Sequence, residues 1–172
     1  MEKKTGAEIR KNIYEFILKH PGLHLSELSR KMNIPKSTIN YHLKYLKKRE
    51  YIIRKDADKY TRYYVANNVS EYEKKILHVL RQEIPSEIIV YLLLKPNSSQ
   101  VKISKKLNKH PTTISFHLDK LINTEIVESI PNGNEINYKI KNPQHICGLL
   151  NKYIECFLEN TITYVIKEAL VA

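Results

Sequence analysis

The stretch Pro35-Lys36-Ser37-Thr38-Ile39-Asn40-Tyr41-His42-Leu43-Lys44-Tyr45-Leu46-Lys47-Lys48 decides how the rest of the chain is read. Its apolar residues Ile39, Leu43 and Leu46 fall at i, i+4 and i+7, the spacing of a helix stripe that faces a core. On the opposite side Lys36, Asn40, Lys44 and Lys48 recur every fourth residue with no apolar side chain among them, and Ser37 and Tyr41 stand beside them. A helix that buries one side and offers cations, an amide, a hydroxyl and an aromatic ring on the other suits a DNA major groove, where base edges present donors and acceptors between two rows of phosphate. A solvated basic surface helix has the same look in isolation, so the flanking sequence must arbitrate.

Upstream, Thr5 with Glu8 three residues later reads as a capping box, and Ile9, Ile13, Phe16 and Ile17 follow at helical spacing until His20-Pro21-Gly22 stops the helix. A second, short helix is expected over 25–32 with Leu25, Leu28 and Met32 inward, and Asn33-Ile34-Pro35 makes the turn. Downstream, Tyr51-Ile52-Ile53-Arg54 and Tyr60-Thr61-Arg62-Tyr63-Tyr64-Val65 read as strands around the polar tip 56–59, a hairpin. Helix, helix, turn, helix, hairpin is the order of a winged helix-turn-helix domain.

After a short linker at 66–69, Ser70 and Glu73 make another capping box, and Pro85 is expected to interrupt that helix so that Ser86 caps the next one. From there the first domain repeats. Thr38 matches Thr113, and the same ungapped offset pairs Ile13 with Ile88, Asn33 with Asn108, Ile39 with Ile114, His42 with His117, Leu43 with Leu118, Leu46 with Leu121 and Tyr63 with Tyr138. A second hairpin is expected over 126–130 and 136–140, with Asn132-Gly133 in its tip as a strong turn signal. The fold class is therefore mainly α with small β-wings: winged helix-turn-helix domains at 1–66 and 67–141, then a C-terminal helix at 142–172.

That last segment carries a wide apolar stripe, including Leu149, Leu150, Tyr153, Phe157 and Val165. Two small domains need no such helix to close their cores, so it is read as a dimerisation helix, with packing against the second domain as the alternative. Cys147 and Cys156 form neither a CxxC pair nor a metal-binding spacing, and are read as reduced thiols. No metal and no cofactor is expected. No apolar run approaches the roughly 20 residues that span a bilayer, and no apolar signal core follows Met1, which points to a cytoplasmic protein without a membrane partner.

The pattern Ser37-Thr38-Ile39-Asn40-Tyr41-His42-Leu43-Lys44-Tyr45-Leu46 followed by Tyr51-Ile52-Ile53 resembles the recognition helix and first wing strand of ArsR/MarR-like and archaeal winged-helix regulators. Thr112-Thr113-Ile114-Ser115-Phe116-His117-Leu118-Asp119-Lys120-Leu121 is similar. Together the copies resemble archaeal tandem winged-helix regulators, a group that includes activators of archaellum genes. The resemblance implies DNA binding and transcription regulation. The cysteine motif of metal-sensing ArsR proteins is absent, so metal sensing is not carried over.

The two copies differ in charge. The formal net charge of +11 divides into +9 for residues 1–66, +3 for 67–141 and −1 for 142–172. Such a basic balance favours a polyanionic partner. Where the first copy has Lys36, Asn40, Lys44 and Lys48, the second has Pro111, Ser115, Asp119 and Asn123. The first wing carries Arg54, Lys55, Lys59 and Arg62, suited to phosphates or an AT-rich minor groove; the second has Glu128, Glu135 and Lys139. The candidate DNA contacts are Lys36, Ser37, Thr38, Asn40, Tyr41, Lys44, Lys48, Lys59 and Arg62 in the first copy, and Thr112, Thr113, Ser115 and Lys120 in the second. His42 and His117 share the apolar side of their helices and are read as structural.

Gly-rich phosphate loops, HExxH motifs and nucleophile elbows are absent from the sequence, which argues against an enzyme. The expected partners are double-stranded, AT-rich promoter DNA and a second copy of the chain. The competing reading is an adaptor that binds RNA or a basal transcription factor through its winged helices.

Overall fold

The cap at Thr5 forms as its sequence requires: the Glu8 amide donates to the Thr5 hydroxyl at 3.3 Å and the Thr5 amide to the Glu8 carboxylate at 2.7 Å. From it α1 runs over Gly6–Lys19. The structure, a computed structural model, describes residues 5–57 and 59–153. Next come β1 (Leu23–His24), α2 (Leu25–Met32), α3 (Lys36–Lys48), β2 (Ile52–Ala57), β3 (Tyr60–Val65) and α4 (Glu71–Leu80). The order continues with α5 (Glu83–Leu94), β4 (Ser98–Ser99), α6 (Gln100–Leu107), α7 (Pro111–Asn123), β5 (Val127–Asn132), β6 (Glu135–Ile140) and α8 (Pro143–Lys152). The offset that carries Thr38 onto Thr113 also carries β1, α2, α3, β2 and β3 onto β4, α6, α7, β5 and β6, with matching first and last residues.

Packing divides the chain into two units, residues 1–77 and 78–172. In the first, Ile13, Ile17, Leu23, Leu28, Ile39, Leu43, Leu46, Ile52 and Val65 close into one core. Each such side chain contributes roughly 1.5–3 kcal/mol over its exposed state. In the second, Ile88, Ile89, Ile103, Ile114, Leu118, Leu121 and Ile126 are buried to 1% exposure or less.

Several elements differ from the sequence expectation. Each wing is a three-stranded antiparallel sheet, ordered β1-β3-β2 and β4-β6-β5, because two residues ahead of the second helix of each copy pair with the last strand. Leu23 sits opposite Tyr63, and Ser98 opposite Tyr138. A two-residue strand leaves no alternation to read. Pro85 does not break a helix; it lies in the first turn of α5, where its missing N–H would have no intrahelical partner anyway. The break falls at 81–82 instead. Finally, α8 follows the second wing as α4 follows the first, so the start of the C-terminal segment belongs to the repeat.

Candidate nucleic-acid interface

The presentation of α3 is set by the turn before it. Asn33 adopts a left-handed conformation at φ 53°, a region that Asn tolerates better than most residues. Ser29 then clasps the turn from both ends: its hydroxyl donates to the Ile34 carbonyl at 2.7 Å, and its own carbonyl accepts from the Ile34 amide at 3.1 Å. The second copy repeats the device with Asn108 at φ 50°, Ser104 and Lys109, at 2.6 and 3.2 Å. Both helix-turn-helix angles are thus held by the same local bonds.

On α3 the inward stripe is Ile39, Leu43 and Leu46, at 0, 2 and 5% exposure. Lys36, Ser37, Tyr41, Lys44 and Lys48 are exposed, and Thr38 and Asn40 are half-buried. No acidic residue lies within the helix. Pro35 at its N-cap makes no side-chain cap, so the first-turn N–H groups carry their partial positive charge beside Lys36. Arg30, which the sequence reading missed, is exposed on α2 and borders an open cleft of about 510 Å³ that Ser26 and Lys36 also line. Its signal is weak: one of two cations in the last turn of a short helix. His42 is buried with its ring edge-on to Tyr41, and Nδ1 has no hydrogen-bond partner. Burial first, and the Arg10 guanidinium second, hold its pKa below the ordinary 6.5, as befits a structural group.

The wing is less cationic than its sequence suggests. Arg54 pairs with Asp56 at 3.3 Å, and Lys55 reaches Glu71 at the start of α4. Hydrogen bonds from Lys55 and Lys74 lower the Glu71 pKa to about 2. Arg62 must be taken out of the contact set. It is 7% exposed, its Nη1 donates to the Gly22 carbonyl at 2.8 Å, and Glu27 lies 3.9 Å away. Lys59 is exposed. Next to it Tyr60 stacks on His24 at 4.5 Å, and the His24 ring in turn caps α2 by accepting from the Ser26 amide. The wing is thereby fastened to the helix-turn-helix.

The second copy presents a different surface. Ile114, Leu118 and Leu121 are buried, at 0, 0 and 1%. On the outside of α7, Phe116 and Asp119 are exposed, and Thr113 and Ser115 are half-buried. Thr112 is bonded to His110, which also caps the helix. Lys120 is not free on the face either: it is half-buried and donates to the Gln82 side chain at 3.4 Å. On the wing, Glu128 and Lys139 neutralise one another at 3.0 Å. His117 resembles His42, its pKa lowered by burial and then by Lys120.

Of the expected dimerisation residues, Leu149, Leu150 and Tyr153 are 3% exposed within the single chain. They offer no free surface to a second copy, because burial in the fold has already used their apolar area. Phe157, Val165 and Cys156 lie outside the described residues. Cys147 is a free, half-buried thiol whose pKa burial raises. Among the described residues no cluster of His, Cys, Asp and Glu could hold a metal ion, and no helix is long and apolar enough to cross a membrane.

Comparison with known proteins adds to this geometry. The family HTH_HVO_0163_N, an N-terminal HTH domain, matches residues 7–77. The uncharacterized HTH-type transcriptional regulator MJ1398 of Methanocaldococcus jannaschii is 38% identical over 139 residues, 81% of this chain. The chain spans only 35% of that relative's length. Among solved structures, a homodimeric winged helix-turn-helix DNA-binding domain of Mycobacterium bovis, a possible ArsR-family regulator, is 16% identical. That likeness covers 55% of this chain and 96% of the other at a TM-score of 0.37. Lactococcus lactis ZitR in complex with DNA is 20% identical, covering 49% and 64%, at a TM-score of 0.34. These two likenesses are too loose to carry an argument. The two wings, the repeated helix-turn-helix and the match to MJ1398 make this chain a winged helix-turn-helix protein related to an archaeal HTH-type regulator.

Proposed function

We propose that the chain is a sequence-specific, double-stranded DNA-binding transcription regulator that acts as a homodimer and performs no catalysis. The first domain supplies most of the affinity. In this reading α3 enters the major groove: Lys36, Lys44 and Lys48 neutralise phosphates, while Asn40, Ser37, Thr38 and Tyr41 meet base edges or the flanking backbone. Arg30 and Lys59 add phosphate contacts at the two borders. The observation that carries the reading is the acid-free exposed face of α3, whose first turn lacks a side-chain cap, set opposite a buried stripe. Thr112, Thr113 and Ser115 make at most a weaker second set of contacts, because Asp119 shares their helix.

Binding of the full chain to a panel of AT-rich promoter duplexes, archaellum promoters among them, tests this by fluorescence anisotropy across a salt series. The expected result is a preferred duplex whose affinity falls with salt at a slope of about 0.9 per phosphate contact. Weak binding that ignores sequence at every salt concentration overturns the reading. It would favour the adaptor alternative, for which the acidic Asp119 on α7 is the supporting feature.

A further inference from the structure

The chain leaves α3 and α7 by the same backbone device. Glu50 and Glu125 adopt positive φ, 60° and 61°. The amides of Tyr51 and Ile126 then turn back to the carbonyls of Leu46 and Leu121, at 3.0 and 3.1 Å, a Schellman closure. The side chains so placed meet opposite fates: Ile126 is 0% exposed, whereas Tyr51 is 55% exposed.

Tyr51 borders an open cleft of about 390 Å³ that is also lined by Arg10, Lys11 and Tyr14 of α1 and by Tyr45 and Leu46 of α3. Rings and cations converge there. Tyr14 meets Tyr51 edge to face, with ring centres 6.4 Å apart. The Arg10 guanidinium lies 3.9 Å from the centre of the Tyr45 ring, and that of Arg49, one turn after Tyr45, lies 5.8 Å from it. Among the described residues neither guanidinium has a carboxylate partner, and the hydroxyls of Tyr14, Tyr45 and Tyr51 make no hydrogen bond. The fold does not require such a lining. The equivalent positions of the second copy hold Pro85, Ser86, Ile89, Lys120, Leu121 and Ile126, with no ring of phenol and no guanidinium, and all but Lys120 are buried.

An apolar, aromatic wall with a few placed charges, within the range of about 300–1,000 Å³, is the make-up of a small-molecule pocket. Two guanidiniums beside one ring call for an anion, and the rings call for a flat apolar body. Phosphate alone leaves the rings unused, and a neutral arene leaves the cations unpaired. We propose that this cleft binds a small aromatic carboxylate, whose charge is held by Arg10 and Arg49 and whose ring packs against Tyr14, Tyr45 and Tyr51. None of the DNA contacts proposed above lines the cleft, so the site does not depend on that reading.

Titration of the full chain with 2-naphthoate, followed through the NMR resonances of the tyrosine rings, tests the site without DNA. The expected result is one molecule bound per chain at about 1 mM or tighter, with Tyr14, Tyr45 and Tyr51 shifting together. Naphthalene-2-carboxamide lacks the charge and cyclohexanecarboxylate lacks the arene, and each is expected to bind at least about tenfold more weakly. Arg10→Met and Tyr51→Leu should each weaken naphthoate at least about tenfold with an unchanged circular dichroism spectrum. Arg49 is exposed, so Arg49→Met gives the same test should Arg10→Met fail to fold. Binding that does not saturate, or that ignores Tyr51→Leu and both arginine variants, overturns the proposal. So does inorganic phosphate that shifts the same rings as tightly as naphthoate does, which would make the cleft a site for anions in general. Naphthoate binding as described in a chain that ignores every duplex supports the pocket and removes only the DNA reading.

Discussion

Gly22 and Asn97 occupy the same turn in the two copies, and both have positive φ, 81° and 58°. A Cβ at Gly22 would come within 3.0 Å of the Tyr64 hydroxyl, so the first copy needs glycine there. In the second copy Lys139 stands where Tyr64 does, and asparagine serves. Arg62 and Asn137 differ in the same way: the first is a buried guanidinium bonded to Gly22, the second a half-buried amide. Beneath these differences Ile39 and Ile114, Leu43 and Leu118, and Leu46 and Leu121 are identical pairs. The inward residues keep one fold in both copies, because close packing tolerates little change of volume or shape. The outward residues diverge freely: a cationic, hydroxyl-bearing surface on the first copy, and a hydrocarbon surface with mixed charge on the second.

The largest effects come from attacking what the copies share. Ile13→Ala and Ile88→Ala, equivalent and both fully buried, should each destabilise by about 2–5 kcal/mol. Hydrogen exchange resolved along the chain is expected to show the loss confined to the unit that carries the change; a uniform loss would mean that the copies unfold as one.

Next is Arg62→Ala, expected to cost about 1.5–3 kcal/mol through the charged hydrogen bond to Gly22. Asn137→Ala should cost less in urea denaturation. If Arg62→Ala leaves stability intact but removes DNA affinity, the guanidinium serves the interface after all.

Lys44→Ala should weaken the preferred duplex several-fold and lower its salt slope by about 0.9. Asp119→Ala, at the matching position, should leave affinity unchanged or raise it. The opposite outcome, with Lys120→Ala abolishing binding, reverses the roles of the copies.

His42, buried, and His117, half-buried, give a pH signature. Their folded pKa values lie below the ordinary 6.5, so below about pH 6.5 the unfolded chain takes up protons that the folded chain refuses. Their contribution is therefore intact above that pH and stability falls as the solution is acidified. His42→Gln and His117→Gln should each flatten that limb in denaturation curves recorded from pH 7.5 to 5.

The smallest effect is expected from Glu71→Gln. Its lowered pKa adds stability above about pH 4.5 that is lost as pH falls towards 2. The carboxylate is exposed, so screening leaves the pair a fraction of a kcal/mol at neutral pH. The same variant frees Lys55, and a small gain in duplex affinity should accompany it.

Local pattern made the helices, wings and repeat legible. Helical spacing at Ile39, Leu43 and Leu46 and capping pairs at Thr5–Glu8 and Ser70–Glu73 act over a few residues, so they can be read without the fold. The candidate face was legible in part for the same reason, since the side opposite a buried stripe is exposed by geometry alone. Arg62 was misplaced because its partners are distant: Gly22 lies 40 residues away in sequence. Lys55 and Glu71, 16 residues apart, show the same limit.

By itself, then, the sequence determined the two winged helix-turn-helix domains, the orientation of α3 and the unequal charge of the copies, since each follows from periodicity or composition. Only the tertiary structure decided which cations remain available, that β1 and β4 complete three-stranded wings, and that Leu149, Leu150 and Tyr153 are already covered. Those outcomes depend on which residues far apart in the chain meet, and short-range pattern carries no record of such meetings.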